Sequence, residues 1–392
     1  MQIKKTLIEP AGLYIHVPFC LRKCLYCDFF STTDLSLRHN FVRALLQEMK
    51  MTRNHGLHFD TLYIGGGTPS ILSVRAVDQI LETAHMAFGI LDGAEITLEA
   101  NPGTVDLRRL TGYRLSGINR INIGVQSFQE ENLRFLGRIH SQQDARRAIR
   151  ESGKSGIENI GLDLIYGIPG QSKKSWIDDL KQAVAFEPNH LSCYMLTFEP
   201  GTPLEKDRQM GRVSPADESH TAELFETTVA FLENAGYAQY EISNFARSFS
   251  NRSKINRSRH NRKYWSLIPY IGLGPSAHSF QEPVRWWNHR CVRRYIDELS
   301  EGRLPIDEKE ELNDSQRIIE VIYLGLRKTE GIDVKNFDTK FGVRFHDLFG
   351  TTVSDLTERG LMEADQYRCA LSRKGMLLLD SIAAAFVCQD GF

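Results

Sequence analysis

Apolar, β-branched and aromatic residues gather in six short runs, at 12–18 (GLYIHVP), 61–67 (TLYIGGG), 95–101 (EITLEAN), 121–127 (INIGVQS), 159–167 (NIGLDLIYG) and 190–198 (HLSCYMLTF). Between them lie stretches at 37–53, 73–89, 141–156 and 175–187 whose apolar residues return every three or four positions. Strand, helix, strand in steady alternation predicts a parallel sheet with crossover helices. The runs are close to continuously apolar, as expected of strands covered on both faces.

The rhythm loosens after about residue 205. A helical stretch at 217–236 leads to YEISNFA, then to a basic, serine- and asparagine-rich stretch at 247–263, then to a Trp- and Gly-rich segment ending at His289. From 311 onward the pattern predicts three helices, a short hairpin at 361–375 and a last helix at 376–386. That order suggests a small winged-helix-like unit. Three regions are therefore expected: 1–240, a connecting region 241–310, and a mainly helical 311–392.

Each early run ends in chemistry rather than core. The cysteines follow the first run, GGGTPS the second, Glu99 closes the third, Gln126 the fourth and Asp163 the fifth. Turn residues account for the glycines and prolines. Carboxylates and amides at the last strand positions point instead to a site at the carboxyl ends of parallel strands. Lysine plus arginine (48) nearly balance aspartate plus glutamate (49), so global charge gives no reason to expect nucleic acid as a partner. The N-terminal MQIKKTLIEPAG carries two lysines and no apolar core of a signal peptide, and no run approaches the roughly 20 residues of a bilayer span. The cytoplasm is the expected compartment.

Seven cysteines is an odd number, and reducing surroundings keep thiols free. Three of them crowd into CLRKCLYC as Cys20-x3-Cys24-x2-Cys27; Cys193, Cys291, Cys369 and Cys388 stand alone and read as small buried residues. Structural zinc wants a fourth ligand of matching type, and no second pair offers one. Three thiolates suit a [4Fe–4S] cluster with one iron open to another molecule.

CxxxCxxC just after a first strand, with Tyr26 before the last cysteine, resembles the signature of the radical S-adenosylmethionine (SAM) superfamily. GGGTPS, GVQSF and DLIYGIPGQ follow in the order of that superfamily across about 200 residues. The resemblance implies a partial (β/α)6 barrel of the TIM type, in which Cys20, Cys24 and Cys27 hold the cluster. SAM chelates the open iron and is cleaved to methionine and a 5′-deoxyadenosyl radical. It implies SAM contacts at Tyr14, Tyr26, Gly66, Gly67, Thr68 and Glu99. Gln126, Arg138 and Asp163 match positions around a second SAM in the oxidases of the superfamily. Phe19, Phe29 and Phe30 either exclude water from the cluster or fill core.

YIHVPFCLRKCLYCDF most resembles the oxygen-independent coproporphyrinogen III oxidases and their relatives, the heme chaperones of the HemW type, and the likeness extends to the C-terminal LTERGL…LSRKG. The oxidases carry a fourth cysteine two residues past the third, where this chain has Phe29; the chaperones carry HNxxYW, which here is HNRKYW, 260–265. The chaperone branch implies heme, an acceptor protein and an electron donor for the cluster. It makes His260 the candidate iron ligand, with Arg257, Arg259, Arg262 and Lys263 beside it for propionates and Tyr264 and Trp265 for the macrocycle. His278 and His289 are alternative ligands, and His16 reads as a buried, hydrogen-bonded core group. The rival activity is decarboxylation of coproporphyrinogen III.

Overall fold

The computed structural model describes residues 9–52, 56–248 and 256–387. Cys388, the N-terminal lysines Lys4 and Lys5, and the middle of the basic stretch, 249–255, lie outside the described residues. Six strands, β1 (Ala11–Val17), β2 (Phe59–Gly66), β3 (Ile90–Ala100), β4 (Arg120–Gln126), β5 (Asn159–Tyr166) and β6 (His190–Met195), run parallel in that order. Helices Arg38–Met51, Val74–Phe88, Leu107–Leu115, Gln142–Lys154 and Lys173–Val184 make the crossovers. Their starts are set by local chemistry. Ser73, Asp106, Ser141 and Ser172 each accept a backbone N–H of the first turn, and Ser141 with Asp144 completes a capping box.

The strands alternate more than their composition suggests. Leu13, Ile15, Leu62, Ile64, Ile96, Leu98, Ile121 and Ile123 pack outward with Phe41, Leu45 and Ile80 of the helices. The registered neighbours between them carry polar groups or glycine on the opposite, inner face: His16–Gly65, Glu99–Asn122–Gly161, and Asp163–Ser192. Burial on both faces holds. The inner face is lined for binding, however, rather than filled with aliphatic side chains.

The barrel stays open because β6 pairs with β8 (Asn244–Arg247), which pairs with β7 (Tyr237–Gln239). At the other edge β9 (Tyr270–Leu273) joins β1 in parallel. β10 (His278–Gln281), β11 (Val284–Asn288) and β12 (Ile306–Glu311) then extend the sheet antiparallel to twelve strands. The Trp- and Gly-rich segment is thus sheet. Beyond it, helices Asp314–Arg327, Val334–Phe341, Phe345–Glu358 and Leu379–Val387 pack around β13 (Ile332–Asp333), β14 (Met362–Ala364) and β15 (Arg368–Leu371). Phe337, Phe345, Phe349 and Phe386 interlock at its centre. Cys193 and Cys369 are buried as expected, but Cys291 is exposed: it caps the helix Val292–Ser300 at the surface, where no core reaches it.

Candidate cluster and cofactor site

A cavity of about 700 Å³ opens at the carboxyl ends of β1–β6. Its roof is the cysteine loop, held by Cys20 N–H donating to Thr32 O (3.0 Å) and Thr32 N–H donating to Pro18 O (2.6 Å). Leu25 and Tyr26 anchor the far side of the loop on a small apolar cluster with Leu136, Ile165 and Leu204. All three thiols line the cavity. Burial pushes the Cys20 thiol up and the Cys27 thiol up to about 11, and the neighbouring thiols add to both shifts. Such a set ionises when a metal's positive charge joins it.

Among the described residues, no three His, Cys, Asp or Glu converge closely enough to hold a single metal ion. A cubane takes one thiolate per iron, so its three ligands stand further apart than those of one ion. Two further contacts suit sulfur ligands: the Thr68 hydroxyl donates to Cys20 Sγ (3.5 Å) and Arg138 Nη1 to Cys24 Sγ (3.3 Å).

The glycine run forms the adjoining wall. A Cβ on Gly67 would lie 2.8 Å from Phe19 O and 3.0 Å from Cys20 Sγ, and Gly66 has φ +108°, a conformation open to glycine. Gly66 N–H donates to Glu99 Oε2 (3.2 Å), while the Tyr63 hydroxyl donates to Oε1 (2.7 Å). Burial raises the Glu99 carboxyl to about 7 despite these donors. Gln126 ends β4 with φ +67°, a strained value for a side chain of its size, and lines the same space. Tyr26 is half-buried there beside Arg138, and loss of solvent around it raises its hydroxyl.

Across the floor the cavity is short of partners. Asn122 donates to Asp163 Oδ2 (2.6 Å). Asp163 Oδ1, Asn122 Oδ1, Arg138 Nε, and Arg120 Nε and Nη1 are buried with no hydrogen bond inside the protein. Buried polar groups rarely go without. These atoms match the needs of a zwitterionic, hydroxyl-bearing ligand such as SAM, and with the three thiols they fit the group that the resemblance implies. Tyr63, Arg120, Asn122 and Ser192 were not marked in the sequence. Strand alternation was the signal, since they share the inner-face parity of Glu99 and Asp163.

Tyr14 and His260 do not line the cavity; they occupy a layer beneath it. His260 is 1% exposed, and burial lowers its imidazole to about 3. Its Nδ1 lies 2.8 Å from Thr61 Oγ1 and its Nε2 2.8 Å from the Tyr264 hydroxyl, and the ring stacks on Tyr63 (5.2 Å) and Tyr14 (6.3 Å). Three of the four cations around it are also engaged within the chain, Arg259 and Lys263 with Asp60 and Arg257 with Glu330, while Arg262 is exposed. The next residue, Asn261, is the one that reaches the cavity. His16 is buried as read, with Nε2 2.8 Å from Phe30 O. His289 is held by Glu298 and Asp307, and His278 stacks on Trp287.

Residues 14–183 match the radical SAM superfamily and residues 312–378 the HemN C-terminal domain. The heme chaperone HemW of Bacillus subtilis is 34% identical, covering 95% of this chain and 98% of its own length. The chain belongs to the HemW family. The Escherichia coli HemW is 40% identical over 69% of this chain and 70% of its own. A mitochondrial radical S-adenosyl methionine domain-containing protein 1 of Danio rerio is 34% identical over 95% of this chain and 86% of its own. Among solved structures, coproporphyrinogen III oxidase (HemN) from Escherichia coli superposes with a TM-score of 0.82 at 23% identity, covering 97% of this chain and 90% of that one. The match to the radical SAM superfamily implies a [4Fe–4S] cluster and SAM. No helix among the described residues is long and apolar enough to cross a membrane.

Proposed function

We infer that this HemW-family chain binds heme and hands it to an acceptor protein. Cys20, Cys24 and Cys27 hold the [4Fe–4S] cluster, and SAM lies against Tyr26, Gly66, Gly67, Thr68, Glu99, Gln126, Arg138 and Asp163, with Tyr14 in the layer below. When bound, the cluster and SAM supply one-electron chemistry that regulates or drives the transfer, with electrons from a separate donor in the cytoplasm. The observation that carries this reading is the cavity itself: three thiols on one wall face buried polar atoms that lack partners. Phe29, where the related oxidases have a fourth cysteine, is 58% exposed at the mouth.

The mouth also suits a flat apolar ligand with two carboxylates. Phe29, Tyr194, Met195, Tyr323, Leu377 and Leu378 line the cavity, yet all are substantially exposed, and Arg22 and Lys23 stand beside them as exposed cations. His260 remains the sequence's candidate for the iron; to reach it, the imidazole gives up the Tyr264 hydroxyl. The test is anaerobic reconstitution followed by heme titration on the Soret band. Leu377→Glu with Leu378→Glu lowers heme affinity about tenfold or more. A Soret band moved by His260→Ala assigns the ligand to His260, and an unmoved one leaves its role structural. Decarboxylated product from coproporphyrinogen III, SAM and a reductant would overturn the chaperone reading.

A further inference from the structure

A second cavity, about 1190 Å³, lies on the outside of the barrel between the helices Arg38–Met51, Val74–Phe88 and Leu107–Leu115. Five arginines line it: Arg38, Arg43, Arg75, Arg108 and Arg109. Its one acid, Asp106, is spent on the backbone N–H of Arg109 at 2.8 Å. None of the five makes an ion pair among the described residues. In a chain of net charge −1 this is a local concentration, built from three separate helices. Arg43, Arg75 and Arg108 are exposed, whereas Arg38 and Arg109 are half-buried and donate to backbone carbonyls.

The groove adjoins the cluster loop. Thr68 lines the main cavity with its hydroxyl on Cys20 Sγ, and Ile71, three residues on, lines the groove. Three residues of chain span at most about 11 Å. No Phe, Tyr or Trp lines the groove, so it lacks the stacking platforms of a single-strand nucleic-acid site. Charge of one sign without aromatic anchors suits an acidic protein surface, and it speeds encounter more than it tightens the complex.

We propose that this groove docks the acidic redox protein that reduces the cluster. The proposal rests on the reading that Cys20, Cys24 and Cys27 hold a reducible centre. One electron leaves the donor's reduced carrier for the cluster, and no bond or proton changes place. The test uses the cluster-loaded chain and a bacterial flavodoxin in its hydroquinone form, with affinity measured at low and high salt. Arg43→Glu, Arg75→Glu and Arg108→Glu together weaken flavodoxin binding about tenfold or more, and wild-type affinity falls as salt rises. Lys154→Glu, Lys174→Glu and Lys335→Glu together, an equal change of charge on exposed lysines elsewhere, leave affinity within about twofold.

Iron, sulfide and dithionite-driven SAM cleavage are measured on the same samples. A wild-type chain without a cluster sinks the reading beneath the proposal. An intact cluster with undiminished flavodoxin binding in the groove variant sinks the proposal alone. Tighter binding of single-stranded RNA or of phosphatidylglycerol vesicles than of flavodoxin, lost in the same variant, overturns it in favour of a different partner.

Discussion

Two layers of one inner face differ in a single respect. In the upper layer, around Cys20, Cys24, Cys27, Arg138 and Asp163, five buried polar atoms have no partner within the protein. In the lower layer His260 is saturated: one hydroxyl on each ring nitrogen, its backbone N–H on Glu95, and an aromatic ring against its face. A deficit of partners is costly in a folded protein and persists where a ligand makes it good. Saturation is the mark of a support. Both layers hold buried polar atoms, so burial alone does not separate a binding group from a scaffold group; the hydrogen-bond account does.

The largest effect expected from this contrast is loss of the metal centre. Cys24→Ser removes one of three sulfur ligands in the unsaturated layer, and iron and sulfide content in anaerobically purified protein falls to near background. Secondary structure by circular dichroism stays as in the wild type, because Cys24 is only partly buried and no core packs on it. Retention of a SAM-cleaving cluster in this variant would break the assignment of the upper layer.

The strands and the cysteine loop were legible because their signals are local: β-branched runs, turn residues and close thiol spacing. The sequence placed β1 to β6 within about five residues and Glu99 next to the end of its strand; Asp163, expected to close β5, stands mid-strand instead, with Leu164, Ile165 and Tyr166 continuing the pairing to β6. The position of His260 was not legible. RSRHNRK reads as a solvated basic loop, but Arg259–Trp265 form a helix, and Asp60, about 200 residues earlier, pairs with Arg259 and Lys263 and lets that helix sink against β1 and β2. Long-range pairing of this kind leaves no periodic trace. Arg138 is a similar case, its approach to Cys24 Sγ being set by Leu136 and the loop it packs against.

The layers also respond to pH with opposite sign. Glu99 has its carboxyl raised by burial to about 7 from the ordinary 4.5, so the native state holds a proton that the unfolded chain has released. Its contribution is fully present below pH 4.5 and is lost as pH rises to about 7. His260, lowered from 6.5 to about 3, contributes above pH 6.5 and loses that contribution as pH falls. Glu99→Gln removes roughly 3 kcal/mol of the loss between pH 5 and 8 in urea unfolding. Part of the slope survives through Glu48, also raised to about 7. His260→Gln flattens the acid side instead. Equal slopes in both variants would mean that the two layers are one electrostatic unit.

The smallest and sharpest comparison makes one chemical change in each layer. Thr61→Val leaves His260 Nδ1 unpaired in a closed site, a cost of about 1–3 kcal/mol read from chemical denaturation. Thr68→Val, a change of the same size, removes a long hydrogen bond to Cys20 Sγ beside an open cavity and costs under about 1 kcal/mol. What moves in Thr68→Val is the cluster: a hydrogen bond to a ligating sulfur stabilises the more negative, reduced form, so its loss shifts the reduction potential downward in a redox titration followed by EPR. Thr61→Val leaves that potential in place, because no atom of the saturated layer touches a thiol. A shared potential shift, or a shared loss of stability, would merge the scaffold with the site.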